Sequence, residues 1–288
     1  MKSTIFNIKL KFVFKFISLI LIPIKLFFIL LYLISKKKFS QGYEYYKWFR
    51  INKLINSKNK KLKVEGIYNL DERVIEYQWV FNELNKVKKN LNLLDAGSTL
   101  NFPQIIKKIK LKFKITIQTL YPENYSFYED GISYIYEDLT QKKFNKKTFD
   151  IITCISTLEH IGFDNSIYKN KSKKVFKNPN KQDYLKVIEN FKFSLKKGGI
   201  LLLTVPYGLH REFNNLQVFD EKKIKSIITK FKPRKFDLKF ATYNNNSWTE
   251  CSSKQCLVNE KNLNKKYLNK NKFDLRSANS VALVKLVK

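Results

Sequence analysis

Short apolar runs alternate with segments of helical spacing along the chain after residue 65. Two of the runs, FDIITCI at 149–155 and ILLLTV at 200–205, are mostly apolar and show no alternation of polar residues, as expected of parallel strands buried on both faces. This alternation predicts an α/β fold with a doubly wound, mostly parallel sheet of about seven strands, in which the last two strands form an antiparallel pair at one edge. The predicted strands are 92–96, 113–118, 132–136, 149–155, 200–205, 236–243 and 280–287, and the predicted helices are 71–84, 102–109, 182–196 and 220–231.

The N-terminal pattern is different, because residues 12–35 are almost continuously apolar. The 20 residues between Lys15 and Lys36 contain one charge, Lys25, and Pro23 near their midpoint predicts a kink. A helix that spans a bilayer needs about 20 apolar residues, so a full span fits this length. A bent helix that dips into one leaflet fits as well, and a helix buried in the protein core is a third interpretation. We predict a membrane-associated helical segment at residues 12–35.

The lysine-rich stretch Asn56–Lys63 divides the chain into a basic arm of residues 1–61 and a domain of residues 62–288. The arm holds 14 basic residues and one acidic residue. This charge is complementary to an anionic cytoplasmic leaflet, where each lysine adds about 1 kcal/mol of attraction. The arm therefore predicts the membrane as a partner.

The net charge of +32 suggests nucleic acid as a second kind of partner, but the composition argues against it. Only five of the 56 basic residues are arginine, whose planar fork suits phosphates and base edges. The three cysteines, Cys154, Cys251 and Cys256, form no metal-ligand spacing and no disulfide framework. We therefore expect no metal site.

Candidate chemistry follows the predicted strands, because ligands of such sheets bind at the carboxyl ends of the strands. Glycine in the first of these turns lets the backbone approach a ligand closely. Both histidines of the chain fall just past central strands. The candidate residues are Asp95, Gly97 and Ser98 after the first strand, Ser156, Glu159 and His160 after the fourth, and Tyr207, His210 and Arg211 after the fifth.

Four of these segments resemble a known family. They are LLDAGSTLNF at 93–102, the acid Asp138 after the third strand, FDIITCISTLEHIG at 149–162 and LKKGGILLLTVPYG at 195–208. They resemble class I S-adenosylmethionine-dependent methyltransferases, in particular bacterial methyltransferase-like proteins associated with surface-polysaccharide genes. The resemblance covers about residues 65–288 and implies a Rossmann-like methyltransferase fold with S-adenosylmethionine as the cofactor.

The resemblance also implies roles for single positions. Asp95 and Gly97, with Ser98 in the same turn, match the segment that approaches the methionine part of the cofactor. Asp138 matches the acid that binds the adenine amino group, and Ser156 and Glu159 match positions that line the methyl-transfer pocket.

Two positions depart from the family pattern. Thr99 stands where the family has a second glycine, and Gln118 stands where it has the acid that holds the ribose hydroxyls. Gln118 can still bind a hydroxyl, but without the strength of a charged acceptor. These departures keep open a second interpretation, a methyltransferase-like binding or scaffold protein without catalysis.

The predicted reaction is O-methylation of a glycan or lipid-linked sugar at the cytoplasmic face of the membrane. His160 is the predicted base, Glu159 orients it or holds the sugar, and Tyr207, His210 and Arg211 contact the substrate. The catalytic domain is expected to face the cytoplasm, which holds the cofactor pool. A nucleic-acid methyltransferase is the third interpretation, and a steep salt dependence of nucleic-acid affinity would mark it.

Overall fold

The structure is a computed structural model that describes residues 21–35, 40–57, 61–141, 144–163, 180–213, 215–258 and 278–288. The helices are α1 (residues 21–35), α2 (Gln41–Asn56), α3 (Arg73–Leu84), α4 (Pro103–Ile109), α5 (Tyr184–Ser194), α6 (Glu221–Phe231) and α7 (residues 253–258), with single 3-10 turns at Tyr128–Asp130 and Leu158–His160. The strands are β1 (Lys63–Val64), β2 (Leu91–Ala96), β3 (Phe113–Thr119), β4 (Ser133–Tyr136), β5 (Phe149–Ile155), β6 (Leu195–Pro206), β7 (Arg211–Glu212), β8 (Gln217–Val218), β9 (Lys235–Asn244), β10 (Ser247–Cys251) and β11 (Ser280–Val287).

Nine strands form one sheet in the order β1-β10-β9-β11-β6-β5-β2-β3-β4, and β7 and β8 form a separate hairpin. The five strands from β6 to β4 are parallel to one another. Counted along the chain from β2, they lie in the order 3-2-1-4-5, which is that of doubly wound nucleotide-binding sheets. The predicted α/β fold with a Rossmann-like sheet is confirmed.

The antiparallel part of the sheet differs from the prediction. β11 pairs antiparallel with β9, as expected, but also with β6, so it is an interior strand and not an edge strand. Beyond β9 the sheet continues through β10 and the two-residue β1. A tight turn with Asn245 and Asn246 in left-handed conformations joins β9 to β10. The predicted count of about seven strands missed β1 and β10, because both are short and lack a continuous apolar run.

Helices cover both faces of the sheet. Successive residues of a strand point to opposite faces, so each strand contributes side chains to both layers. On β5, Ile151 and Ile155 join a core cluster with α3 and α4, whereas Ile152 and Cys154 join a second cluster with α5 and α6. Both clusters contain residues of β2, β6 and β11. The central strands are therefore buried on both faces, which explains their apolar sequences.

The helices α1 and α2 belong to the first of these clusters. Tyr43, Tyr46 and Ile51 of α2 are buried there, and Tyr32 of α1 packs between the two tyrosine rings at 5.6 and 5.7 Å. The predicted division at residue 61 therefore does not separate two cores. Of the predicted segment 12–35, residues 12–20 lie outside the described residues. Within the described residues, no helix combines the length and the apolar content that crossing a membrane requires.

Because β11 lies inside the sheet, we expect substitutions of its buried side chains to lower the free energy of unfolding more than substitutions of exposed side chains in β9. We expect Leu283→Ala to lower the free energy of unfolding by about 2–5 kcal/mol, because Leu283 is fully buried and its removal leaves a cavity. Phe236→Ala in β9, where the ring is 57% exposed, should cost less than about 1 kcal/mol. Urea denaturation of both variants measures the difference. Equal losses of unfolding free energy would contradict the interior position of β11.

Candidate functional site

The winding of the sheet reverses at β2, which lies between β3 and β5. The turns that follow β2 and β5 meet there at the carboxyl ends of the strands, where ligands of such sheets bind. Gly97 has φ +102°, and a Cβ at this residue would lie 2.2 Å from Oγ1 of Thr157. The expectation that this glycine leaves room for a ligand is corrected in part, since the Thr157 side chain fills that space.

Asp95 shapes the first turn from the inside. Its buried carboxylate accepts hydrogen bonds from the Leu100 N–H at 2.7 Å, from Oγ1 of Thr153 at 3.1 Å and from Oγ1 of Thr99 at 3.4 Å. Burial raises the pKa of Asp95 to about 7, because desolvation outweighs these three hydrogen bonds. Thr99, at the position of the missing glycine, thus helps to hold the acid. A ligand in the crevice would meet the backbone of this turn and not the Asp95 carboxylate.

An acid that the sequence analysis missed lies over this turn. Oε2 of Glu123 accepts hydrogen bonds from Oγ of Ser98 at 2.7 Å and from Nδ2 of Asn101 at 3.2 Å. Its Oε1 accepts from Oγ1 of Thr119, the last residue of β3, at 3.3 Å. Glu123 therefore presents an exposed carboxylate between the carboxyl ends of β2 and β3.

Gln118 lies next to the last residue of β3, and Asp138 lies two residues after β4. Nε2 of Gln118, a buried residue, donates to the carbonyl oxygens of Glu137 and Asp138 at 3.4 Å each. Oδ1 of Asp138 accepts from the Thr140 N–H at 2.7 Å, which closes a local turn. Gln118 thus ties β3 to the end of β4, and Asp138 is half-buried at the rim of the crevice.

On the other side of the crevice, α3 contributes a buried carboxylate. Oε1 of Glu76 accepts hydrogen bonds from Oγ of Ser156 at 2.6 Å and from Oγ1 of Thr204 at 2.5 Å. Its Oε2 forms a 3.0 Å ion pair with Arg73, which also donates to the Ile155 carbonyl at 3.4 Å. The network fixes Ser156, whose φ of +40° is strained for a residue with a side chain.

Glu159 is buried near this network, and its Oε2 has no hydrogen-bond partner among the described residues. Burial raises its pKa well above the ordinary value, and the charges of Glu76 and Glu72 add to the shift, while Arg73 opposes it. Glu72 responds in the same way, with a pKa raised by burial to about 8. The site therefore holds carboxyl groups that can carry a proton near neutral pH.

His160 follows Glu159 in the same 3-10 turn. Its Nδ1 lies 2.7 Å from the Asn215 carbonyl oxygen, which can only accept, so Nδ1 carries the proton and Nε2 is the basic nitrogen. Burial lowers the pKa of His160, and the nearby Arg73 lowers it further. The imidazole is therefore neutral at pH 7, which suits a proton acceptor.

The three predicted residues after β6 differ in their surroundings, and the β7–β8 hairpin that holds Arg211 reaches the His160 turn through the Asn215 carbonyl. Tyr207 packs in the second core cluster, where it is 1% exposed and its ring centroid lies 4.4 Å from that of Phe240. His210 donates from Nδ1 to the Val218 carbonyl at 2.9 Å, and Arg211 begins β7. His210 lines an open groove of about 830 Å³ with Glu212, Asp220 and several lysines.

Three site residues escaped the sequence analysis: Arg73, Glu76 and Glu123. Glu76 did leave a signal, since it lies at helical spacing among the apolar residues of α3, where a charge has no solvent to face. Glu123 left none, because an acid in a polar loop is ordinary. Among the residues that the structure describes, no cluster of three or more histidine, cysteine or acidic side chains is arranged to hold a metal ion.

No protein-family model matches the chain, and no curated protein matches it. Among solved structures, a SAM-dependent methyltransferase from Thermotoga maritima is 12% identical over 85% of this chain and 95% of its own, with a TM-score of 0.46. The N-methyltransferase NodS from Bradyrhizobium japonicum, solved with S-adenosylhomocysteine, is 10% identical over 84% and 98% of the two chains, with a TM-score of 0.43.

The raised pKa of Glu159 predicts a pH-dependent cost to stability. A carboxyl group that binds its proton more tightly in the folded state makes the protein less stable as the pH rises above the unfolded value of 4.5. We expect Glu159→Gln to remove this dependence, so that its stability gain over the wild type grows by up to about 1.4 kcal/mol per pH unit.

Urea denaturation between pH 5 and pH 8 measures this gain. The matched control is Glu129→Gln, since Glu129 is exposed in the 3-10 turn before β4. A gain that does not change with pH would show that Glu159 is ionised and paired in the folded protein.

Proposed function

We propose that this chain is an S-adenosylmethionine-dependent methyltransferase that methylates a hydroxyl group of a glycan or lipid-linked sugar at the cytoplasmic face of the membrane. The observation that carries the proposal is the convergence at the switch point of the sheet. The acid-bearing turns after β2, β3 and β4 and the His160 turn after β5 lie at one edge. The sequence resemblance described above falls on the same turns.

The residues present fit the cofactor. Ribose hydroxyls and an adenine amino group are hydrogen-bond donors, and they call for acceptors at the ends of β3 and β4. The exposed carboxylate of Glu123, held by three side-chain donors, supplies the charge that Gln118 lacks. Asp138, one strand further along, supplies a second carboxylate. A cationic sulfonium also suits a crevice rich in carboxylates.

When bound, the cofactor supplies an electrophilic methyl group on a positively charged sulfur. His160 accepts the hydroxyl proton of the acceptor at Nε2, while the Asn215 carbonyl holds Nδ1–H and fixes the ring orientation. Glu159, buried beside His160, has an oxygen without a hydrogen-bond partner in the described part of the chain, and this oxygen can hold an acceptor hydroxyl. The Glu76 network keeps the backbone of this turn in place.

The location at the membrane is supported by the N-terminal arm. A methyl acceptor anchored in the bilayer is accessible to a protein that binds the same membrane surface. The arm carries 14 basic residues and one acidic residue, and the described part of its apolar segment is exposed on one side.

One alternative has specific support, a binding protein with this fold that does not catalyse. Thr157 fills the space beside Gly97, and Asp95 is turned into the protein interior. Both features leave less of the first turn open to a cofactor. Cofactor binding by the purified chain separates the two functions.

The first test is therefore a calorimetric titration of the full-length protein with S-adenosylmethionine and S-adenosylhomocysteine. We expect binding, and we expect Glu123→Ala to weaken it by roughly 10- to 100-fold, since a hydrogen bond to a charged group contributes about 1.5–3 kcal/mol. Glu129→Ala, an exposed acid nearby in sequence, should bind like the wild type.

Two other results have clear meanings. Tighter binding by Glu123→Ala would mean that Glu123 blocks the crevice instead of holding the ribose. No binding by a folded wild-type protein would favour the non-catalytic function.

The second test concerns His160. Transfer of tritiated methyl groups to a glycolipid extract of the cell envelope should fall by about 100- to 10,000-fold in His160→Ala, because a positioned base contributes that much. The wild-type rate should decline only below about pH 6.5, since the pKa of His160 lies under the ordinary histidine value.

Cofactor affinity of His160→Ala serves as the control for folding and should be unchanged. A full transfer rate in this variant would assign the base elsewhere.

A further inference from the structure

The outer face of α1 is wholly apolar. Projected along the helix, six large side chains fall on one continuous arc that points away from the rest of the protein. Their exposed fractions lie between 44% and 72%. They are Ile24, Leu26, Phe27, Leu30, Leu31 and Ile34.

The opposite face of α1 is fixed to the protein. The buried Tyr32 hydroxyl donates to the Tyr68 carbonyl, and Ile29 and Leu33 pack against the first core cluster. α2 approaches very closely at Gly42, where a Cβ would lie 2.0 Å from the Phe28 carbonyl oxygen. Residues 21–35 therefore form a helix with one docked face and one open face.

The single charge of the helix does not lie on the open face. Nζ of Lys25 lies 5.8 Å from the ring centroid of Tyr45 in α2, on the side where α1 is docked. A cation near an aromatic face is stabilised there. The apolar arc is thus uninterrupted by charge, although the sequence places Lys25 in the middle of the segment.

We propose that α1 binds an anionic bilayer in the plane of the interface, with its apolar arc in the lipid and its inner face against the protein. The occupant follows from charge, because Lys36, Lys37 and Lys38 directly follow the helix, and residues 1–61 hold 14 basic residues and one acidic residue. Apolar burial combined with attraction to anionic lipid is how interfacial helices bind.

The contacts of the docked face favour an α1 that lies in the plane of the membrane over an α1 that spans it. A spanning helix would have to leave Tyr43 and Tyr46, against which Tyr32 now packs, and expose the Gly42 contact. An in-plane helix keeps all of these contacts. The inference deepens the membrane part of the proposed function and rests on it only for the cellular setting.

The first test is flotation of the full-length protein with vesicles of phosphatidylglycerol and phosphatidylcholine, in the absence of donor and acceptor. We expect binding to these vesicles and at least tenfold weaker binding to pure phosphatidylcholine. The double variant Leu30→Glu with Ile34→Glu should bind the anionic vesicles at least tenfold more weakly than the wild type.

The matched control is Leu111→Glu, which places an acid on a leucine that is 79% exposed after α4, and it should bind like the wild type. Equal binding by the double variant, or no vesicle binding by the wild type, would overturn the proposal. The second result would mean that residues 1–20 or a second copy of the chain cover the arc. Because vesicle binding needs no methyl transfer, its failure leaves the enzymatic proposal intact.

A depth measurement tests the in-plane arrangement without weakening the apolar face. Single cysteines at Leu26 and Ile34, in a Cys251→Ser background, carry a fluorophore and are quenched by spin-labelled lipids. The two positions lie on one face, about 12 Å apart along the helix axis. Equal depths support an in-plane helix, whereas depths that differ by about this distance would show a spanning one.

Discussion

The buried carboxylate of Glu76 is the interaction on which the arrangement of the site depends. A charge in this position is tolerated only when its oxygens are satisfied, and the partners come from three elements. Ser156 follows β5, Thr204 lies in β6, and Arg73 begins α3. The network joins α3 to the carboxyl ends of two central strands and holds Ser156 in a left-handed conformation. The residues that follow Ser156 are positioned by this conformation. Thr157 lies beside Gly97, and Glu159 and His160 lie at the crevice.

The central part of the fold could be predicted because the physics that buries it is local in sequence. β5 and β6 are covered on both faces, so their sequences are mostly apolar. The helix between them, α5, has apolar residues at helical spacing. α2 could not be predicted in this way. Its sequence, QGYEYYKWFRINKLIN, mixes charges with tyrosines, whose hydroxyl groups find partners only in the folded protein, as Tyr43 does with Asp71 at 2.8 Å. Short edge strands such as β1 depend on a neighbour that lies far away in sequence.

The candidate site shows the same division. Residues directly after β2 and β5 could be assigned to the crevice because the topology determines where strand ends lie. Their individual roles could not, since Asp95 points inward and Gly97 accommodates Thr157. Glu123 became visible only through its hydrogen bonds to Ser98, in the turn after β2, and to Thr119, the last residue of β3. A role that depends on contacts between segments is invisible to reasoning from one segment at a time.

The distribution of charge connects the proposed chemistry to the proposed location. The chain carries +32, yet the turns of the crevice hold acids, among them Glu123 and Asp138. Lysines dominate the solvent-facing surface, which would contact an anionic bilayer. Salt screens the electrostatic attraction of these lysines beyond about 10 Å. Carboxylates in a partly desolvated crevice act at shorter range and more strongly on a cationic donor. In the proposed function, opposite charges in these two places would let one small protein attract an anionic surface and a cationic cofactor at separate sites.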